Sequence, residues 1–274
     1  METPFWGPQT SYLNFCEEDY VVTRYVAEFI NTLSSLVYVA YRLYGLLSYS
    51  QFPAGSRLFL YCGLMGVGIC SGGYHMTLKY HTQMSDELSM HLLTTPLVYR
   101  LLSFKASPRC TMLIGMVLLS LFTLVMVTHV VLDEFVLHAV TFASGVLIVA
   151  NRALKIISQH VLDSQTRQSL RNISLFGCCC FGFGYFLWLV DELACRYLTN
   201  ARNALGLPLA FFLELHGWWH IFTAVGSYIA VVVVDLITSE DEVVSDPTQH
   251  LAWPIPFVAR RMAQSPGIVK EKAA

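Results

Sequence analysis

Seven apolar stretches of about 20 residues each run through this chain, and they leave few folds open. They extend from Glu28 to Leu47, Leu58 to Met76, Met84 to Leu102, Met112 to Leu132, Phe135 to Ala153, Ile173 to Cys195 and Leu209 to Thr238. In lipid every backbone polar group must be satisfied internally, which helices and closed barrels alone achieve. The short alternating segments of a membrane barrel are absent from the sequence. The expectation is therefore an all-α integral membrane bundle of seven transmembrane helices. The last stretch is long enough to tilt or protrude.

Composition agrees with a lipid environment. Of 274 residues, 55% are hydrophobic and 13% charged, against roughly 25% charged in ordinary soluble domains. Net charge is -2 and no Lys/Arg cluster appears, so nucleic acid is not an expected partner. The first residues lack a basic region followed by an apolar core, and no cleaved signal peptide is expected. The chain reads as one membrane domain, 1–274. An acidic N-terminal segment, 1–27, precedes helices over 28–238 and a tail over 239–274. The connections read as short except at 154–172 and 196–208.

Orientation follows from the basic residues. Thirteen Lys/Arg, from Arg42 to Lys272, fall on one side of a seven-span arrangement, and four, Arg24, Lys79, Arg196 and Arg202, on the other. The C-terminus is expected in the cytoplasm and the N-terminus in the lumen. Asn172, in an "NIS" pattern, lies on the expected cytoplasmic side and should stay unglycosylated. Among the cysteines, Cys16 and Cys195 alone are expected at the oxidising lumenal face. They either form a disulfide or remain two free thiols, since connectivity cannot be read from spacing. "CCC" at 178–180 reads as helix packing, because adjacent residues point in different directions.

The chemistry concentrates in two spans. "ELHGWWHIF" puts His216 and His220 four residues apart, on one helix face. His75 ends the second span with Ser71 one turn before it, and Asp86 opens the third. Topology sets these groups at similar depth, and ionisable residues inside a membrane are costly enough to be functional candidates. Three imidazoles suit Zn²⁺ and leave a fourth position for water, the arrangement of catalytic sites. The pKa of such a water falls to about 7. Asp86 can carry its proton to a leaving group. Ser71 either stabilises an oxyanion or serves helix packing in the Gly-rich "GVGICSGG". Trp188, Trp218 and Trp219 either line a cavity or mark the interface. A third cluster, Asn14, Glu17, Glu18, Asp19 and Glu28, offers hard oxygen ligands suited to Ca²⁺, or is simply an acidic tail.

Together "WGPQTSYLNFCEEDY", "AEFINTLS", "YHMTLKY", "DELSM" and "HGWWHIFTAVGSY" resemble the motifs of the alkaline ceramidase family, in family order and over most of the chain. Members are seven-span zinc-dependent amidases of the endoplasmic reticulum and Golgi, related in architecture to adiponectin receptors. The seventh span resembles fungal members, which act on phytoceramide and dihydroceramide. The resemblance implies zinc on His75, His216 and His220, with Asp86 as acid/base and Ser71 assisting. It also implies calcium on Asn14, Glu17, Asp19 and Glu28 with the backbone carbonyl of Phe15, and a Cys16–Cys195 disulfide. Human-type members carry Asp where this chain has Asn14, and Asn where it has Asp19, which keeps the number of formal charges.

The function expected is cleavage of the N-acyl bond of a ceramide-type lipid within the membrane, with no obligate protein partner. A seven-helix receptor or scaffold with a structural zinc is the competing class, and Asp86 discriminates, since a bracing metal needs no free carboxylate beside it. A proton-coupled transporter is a third class. Clustering of the groups at one depth argues against it.

Overall fold

The computed structural model describes residues 3–48, 56–206, 208–239 and 247–258. Among them are seven α-helices of 20 residues or more: α1 (Phe29–Ser48), α2 (Ser56–Thr77), α3 (Tyr80–Leu102), α4 (Pro108–Leu132), α5 (Phe135–His160), α6 (Ser164–Leu205) and α7 (Leu215–Thr238). No strand occurs among the described residues. Four of these helices, α4 to α7, are long and apolar enough to cross a membrane by length and composition alone. The polar residues of α1 to α3, such as Asn31, Ser71, His75, Asp86 and Glu87, lower their mean hydropathy.

Local chemistry sets the boundaries. The Ser107 hydroxyl accepts the Cys110 N–H at 3.4 Å, with Pro108 at the first helical position of α4. Asp133, at φ 51°, ends that helix in the left-handed conformation. Asp163 caps α6 by accepting the Thr166 N–H at 2.6 Å.

Three places depart from the sequence reading. The expected connections at 154–172 and 196–208 are largely helical, because α5 runs on to His160 and α6 spans 42 residues. Hydropathy marks the apolar part of a helix, whereas backbone bonding continues through polar residues until a cap stops it. At 1.5 Å per residue α6 is about 63 Å long, roughly twice the hydrocarbon thickness, so it protrudes. The seventh stretch is not one helix: a 3₁₀ turn at Leu209–Leu213 precedes α7, with a break at Glu214. Of the expected tail, only Ser239 and 247–258 belong to the described residues, so Arg260, Arg261, Lys270 and Lys272 lie outside them.

Packing is radially ordered. Helix α7 is largely buried, against α1 and α6, whereas α4 is peripheral and exposes Leu119, Leu124 and Val131. An outward apolar band of this kind suits lipid. Gly68 brings α2 onto α1: a Cβ there would stand 2.8 Å from the Ser35 carbonyl oxygen. Cys178 and Cys179 are exposed while Cys180 is buried, as expected for consecutive helical positions.

The segment before α1 is a cover rather than a tail. The N–H groups of Thr10 and Ser11 donate to the Leu78 carbonyl at 3.1 and 3.2 Å, and those of Ala27 and Glu28 to the carbonyls of Met76 and His75, each at 3.0 Å. It is thereby laid across the α2–α3 turn, directly over the ends of the helices that carry the candidate site.

Candidate metal centre

His75 from α2 and His216 and His220 from α7 meet in the interior, each with one ligand atom within 4.8 Å of the others. Their exposures are 1%, 4% and 3%, so water does not solvate them. Ring centroids stand 5.0 Å apart for His75–His216, 4.8 Å for His75–His220 and 4.6 Å for His216–His220. The i, i+4 spacing on α7 accounts for the last pair; the others depend on α2 and α7 reaching one end of the bundle.

Surrounding groups fix which ring nitrogens face inward. Ser34 donates to the Asn31 carbonyl at 3.1 Å, so its oxygen accepts from Nδ1–H of His220 at 2.8 Å. That leaves Nε2 of His220 as a lone pair. His75 Nδ1 donates to Oε2 of Glu28, which leaves its Nε2 likewise unprotonated. Ligating histidines are held by outer partners in this way. The remaining imidazole, His216, has a buried Nδ1 with no hydrogen-bond partner among the described residues. An unprotonated, inward-facing nitrogen set with one orphaned atom fits a zinc ion.

Ser71 lies 3.4 Å from Nε2 of His220 and 2.9 Å from the Ser35 hydroxyl. Ser71 thus sits both at the close α1–α2 contact and beside the imidazoles. Asp86 does not touch the histidines in a hydrogen bond. It lines, with Ser71, His216 and His220, a predominantly apolar cavity of about 440 Å³. Trp188 and Trp219 line that cavity as well, whereas Trp218 donates to the Phe212 carbonyl at 3.2 Å. Phe15, from the N-terminal cover, stacks on His216 at 3.7 Å.

The acidic cluster is only partly gathered. Asn14 donates to Asp19 at 3.2 Å, and the Phe15 N–H donates to Oε1 of Glu28 at 3.1 Å. The two Glu17 oxygens accept the N–H groups of Ile30 and Asn31 at 2.6 and 2.8 Å, capping α1. Burial pushes the Glu17 carboxyl up to about 7, partly offset by those bonds, with Glu28 adding repulsion. Burial and Glu28 also raise Asp19. Glu17, Asp19 and Glu28 do not close to the spacing of the histidine group. The repulsion that Glu28 exerts on Glu17 and Asp19 is nevertheless what a bound Ca²⁺ would relieve. Glu18 is exposed and stands apart from this network.

Cys16 and Cys195 are joined as a disulfide, with Cα atoms 5.2 Å apart. The Cys16 N–H donates to Asp191 at 3.1 Å and its carbonyl accepts from Arg202 at 2.5 Å, so α6 grips the cover at several points. Reading the sequence residue by residue missed the orienting roles of Glu28 and Ser34 as well as the grip of Asp191 and Arg202. Their only signal was a polar side chain in or beside an apolar helix, which does not name its partner.

Comparison with known proteins identifies the family. The family model described as Ceramidase matches residues 7–263. The chain is 32% identical to alkaline ceramidase YPC1 of Saccharomyces cerevisiae over 246 residues, covering 84% of this chain and 77% of that protein. It is 32% identical to alkaline ceramidase 3 of Mus musculus over 232 residues, covering 83% and 84%, and 23% identical to alkaline ceramidase 1 of Homo sapiens over 256 residues, covering 90% of each. Since the match spans both the N-terminal cover and the helices that carry the three histidines, the chain belongs to the alkaline ceramidase family.

Proposed function

We propose that this chain is an intramembrane, zinc-dependent hydrolase that cleaves the N-acyl amide bond of ceramide, dihydroceramide or phytoceramide to a sphingoid base and a free fatty acid. One observation carries the reading: in a ceramidase-family chain, buried imidazoles stand beside Ser71 and Asp86 on the wall of an apolar cavity. Supporting membrane residence, seven long helices cover the seven apolar stretches and α4 presents an apolar face outward. The arrangement proposed is seven spans over 28–238 with the 1–27 cover lumenal and the 239–274 tail cytoplasmic, in the endoplasmic reticulum or Golgi membrane.

His75, His216 and His220 would hold the zinc. When bound, the ion supplies Lewis acidity toward the amide carbonyl and lowers the pKa of water. Asp86 takes a proton as water adds to the amide carbon, and returns it to the nitrogen as the C–N bond breaks. The Ser71 O–H turns from Ser35 toward the developing oxyanion. The apolar walls accept the two lipid tails and exclude bulk water, so the substrate never has to leave the hydrocarbon phase. Asn14, Glu17, Asp19, Glu28 and the Phe15 carbonyl would hold calcium in the cover, and the Cys16–Cys195 link keeps that cover closed on α6.

The test uses purified full-length protein in detergent with a panel of ceramides, counting sphingoid base and fatty acid alongside zinc content. Wild type should release both products. Asp86→Ala should keep zinc and lose hydrolysis, and His216→Ala should lose both. Zinc-loaded wild type that releases no sphingoid base from any ceramide would instead favour a receptor or scaffold.

A further inference from the structure

A second buried group of metal-ligating side chains lies outside the site already described. Glu87 of α3, His129 of α4 and His138 of α5 each offer a ligand atom within 4.8 Å of the others. Their exposures are 5%, 1% and 3%. None belongs to the His75–His216–His220 group, and each comes from a different helix. Burying a carboxylate and two imidazoles between helices of an apolar bundle is costly unless something compensates them.

The hydrogen bonds indicate what that is. His129 Nδ1 stands 3.0 Å from the Glu134 carbonyl oxygen, which can only accept, so Nδ1 carries the proton. His129 Nε2 then presents a lone pair, and it directly contacts Oε2 of Glu87, itself an acceptor. Those two acceptors are reconciled either by a proton shared as an imidazolium–carboxylate pair or by a metal cation drawing both toward itself. The outer partners are already in place. The Gln83 amide donates to Oε1 of Glu87 at 2.9 Å, and the Tyr12 hydroxyl reaches both carboxylate oxygens at 3.4 and 3.3 Å. His138 Nδ1 lies 3.2 Å from Nε2 of His91; in the tautomer where His138 donates there, its Nε2 is the lone pair that can face a metal. Each of the three groups thus has a partner that fixes its orientation, as ligands of a bound metal do.

We propose that Glu87, His129 and His138 form a second metal site, for a divalent transition ion of the zinc class. Two imidazoles and one carboxylate are a zinc donor set. Calcium and magnesium prefer all-oxygen shells and are disfavoured by two nitrogens. The site ties α3, α4 and α5 together. It also anchors α3 one residue after Asp86, and Glu87 and His138 line the same cavity as Asp86, so it holds the helix that carries the acid/base in register with the cavity.

Full-length protein purified in detergent and dialysed against metal-free buffer decides this by metal content per chain. Two zinc ions are expected in wild type, one in the His129→Gln/His138→Gln variant and one in the His216→Ala/His220→Ala variant. Cobalt substitution of wild type gives an independent reading: two spectroscopically distinct sites should fill, and His129→Gln should erase one set of visible bands while leaving the other. One zinc per wild-type chain, with a single set of cobalt bands that His216→Ala abolishes, would overturn the second site while leaving the first intact. Two ions retained in the His129→Gln/His138→Gln variant would overturn it as well.

Discussion

Oε2 of Glu28 meets Nδ1 of His75, while Oε1 of the same carboxylate accepts the Phe15 N–H of the N-terminal cover at 3.1 Å. One fully buried side chain therefore orients an imidazole of the candidate zinc centre and holds the loop of the candidate calcium site. The two regions, far apart in sequence, are mechanically a single unit.

That relationship predicts a double phenotype for Glu28. Loss of an outer partner of a ligating histidine typically costs about 10- to 100-fold in metal affinity or activity. Glu28→Ala should weaken zinc retention by that order and also abolish any response to calcium. Competitive zinc titration and activity with and without chelated calcium measure the two effects; unchanged zinc retention would separate the sites.

Asp86 should matter to the reaction rather than to the metal. A positioned general acid/base contributes about 10²- to 10⁴-fold, and Asp86 makes no hydrogen bond to any of the three histidines. Asp86→Asn should lower kcat by that order with zinc content and melting temperature nearly unchanged. Steady-state kinetics beside metal analysis checks it, and a variant with full kcat removes Asp86 from the mechanism.

Calcium stabilisation should grow with pH. The Glu17 carboxyl is raised by burial from 4.5 to about 7. A carboxyl raised on folding contributes stability below its unfolded value, and this is lost as pH climbs through the folded one. Above pH 7 the ion-free cover therefore holds a charge that burial opposes, and a bound cation offsets it. The rise in Tm on adding calcium should be larger at pH 8 than at pH 6. Thermal melts at both pH values, with calcium and with chelator, measure the difference; an equal rise would detach Glu17 from the ion.

Reduction should loosen the cover before the helices. The Cys16–Cys195 link spans 179 residues, and loss of a long-loop disulfide typically costs about 2–5 kcal/mol. Cys16→Ser and Cys195→Ser should each lower Tm and hasten proteolysis ahead of α1. Because Asp191 and Arg202 also hold Cys16 through its backbone, the helices should stay packed. Far-ultraviolet dichroism together with limited proteolysis distinguishes a loosened cover from global unfolding.

The helices were legible from sequence because a long apolar run in lipid has almost one solution for its backbone, whereas their ends were not, since α5 and α6 run on through polar residues to caps the structure reveals. The pairing of His216 with His220 was legible for the same reason, since four residues return to one helix face. His129 and His138 carried no such signature: they are single histidines on different helices, and neither names Glu87 as its neighbour. Likewise a carboxylate at the start of α1 does not announce that it will grip His75. Those meetings depend on how α1, α2 and α7, or α3, α4 and α5, pack at one depth. That is fixed by close approaches such as Gly68 on Ser35 and by the cover laid across the α2–α3 turn. Sequence alone determined which apolar segments form helices and which of their faces are polar. Only the tertiary structure decided which polar faces meet, because the contacts that satisfy a buried side chain come from chain segments whose order carries no record of their distance in space.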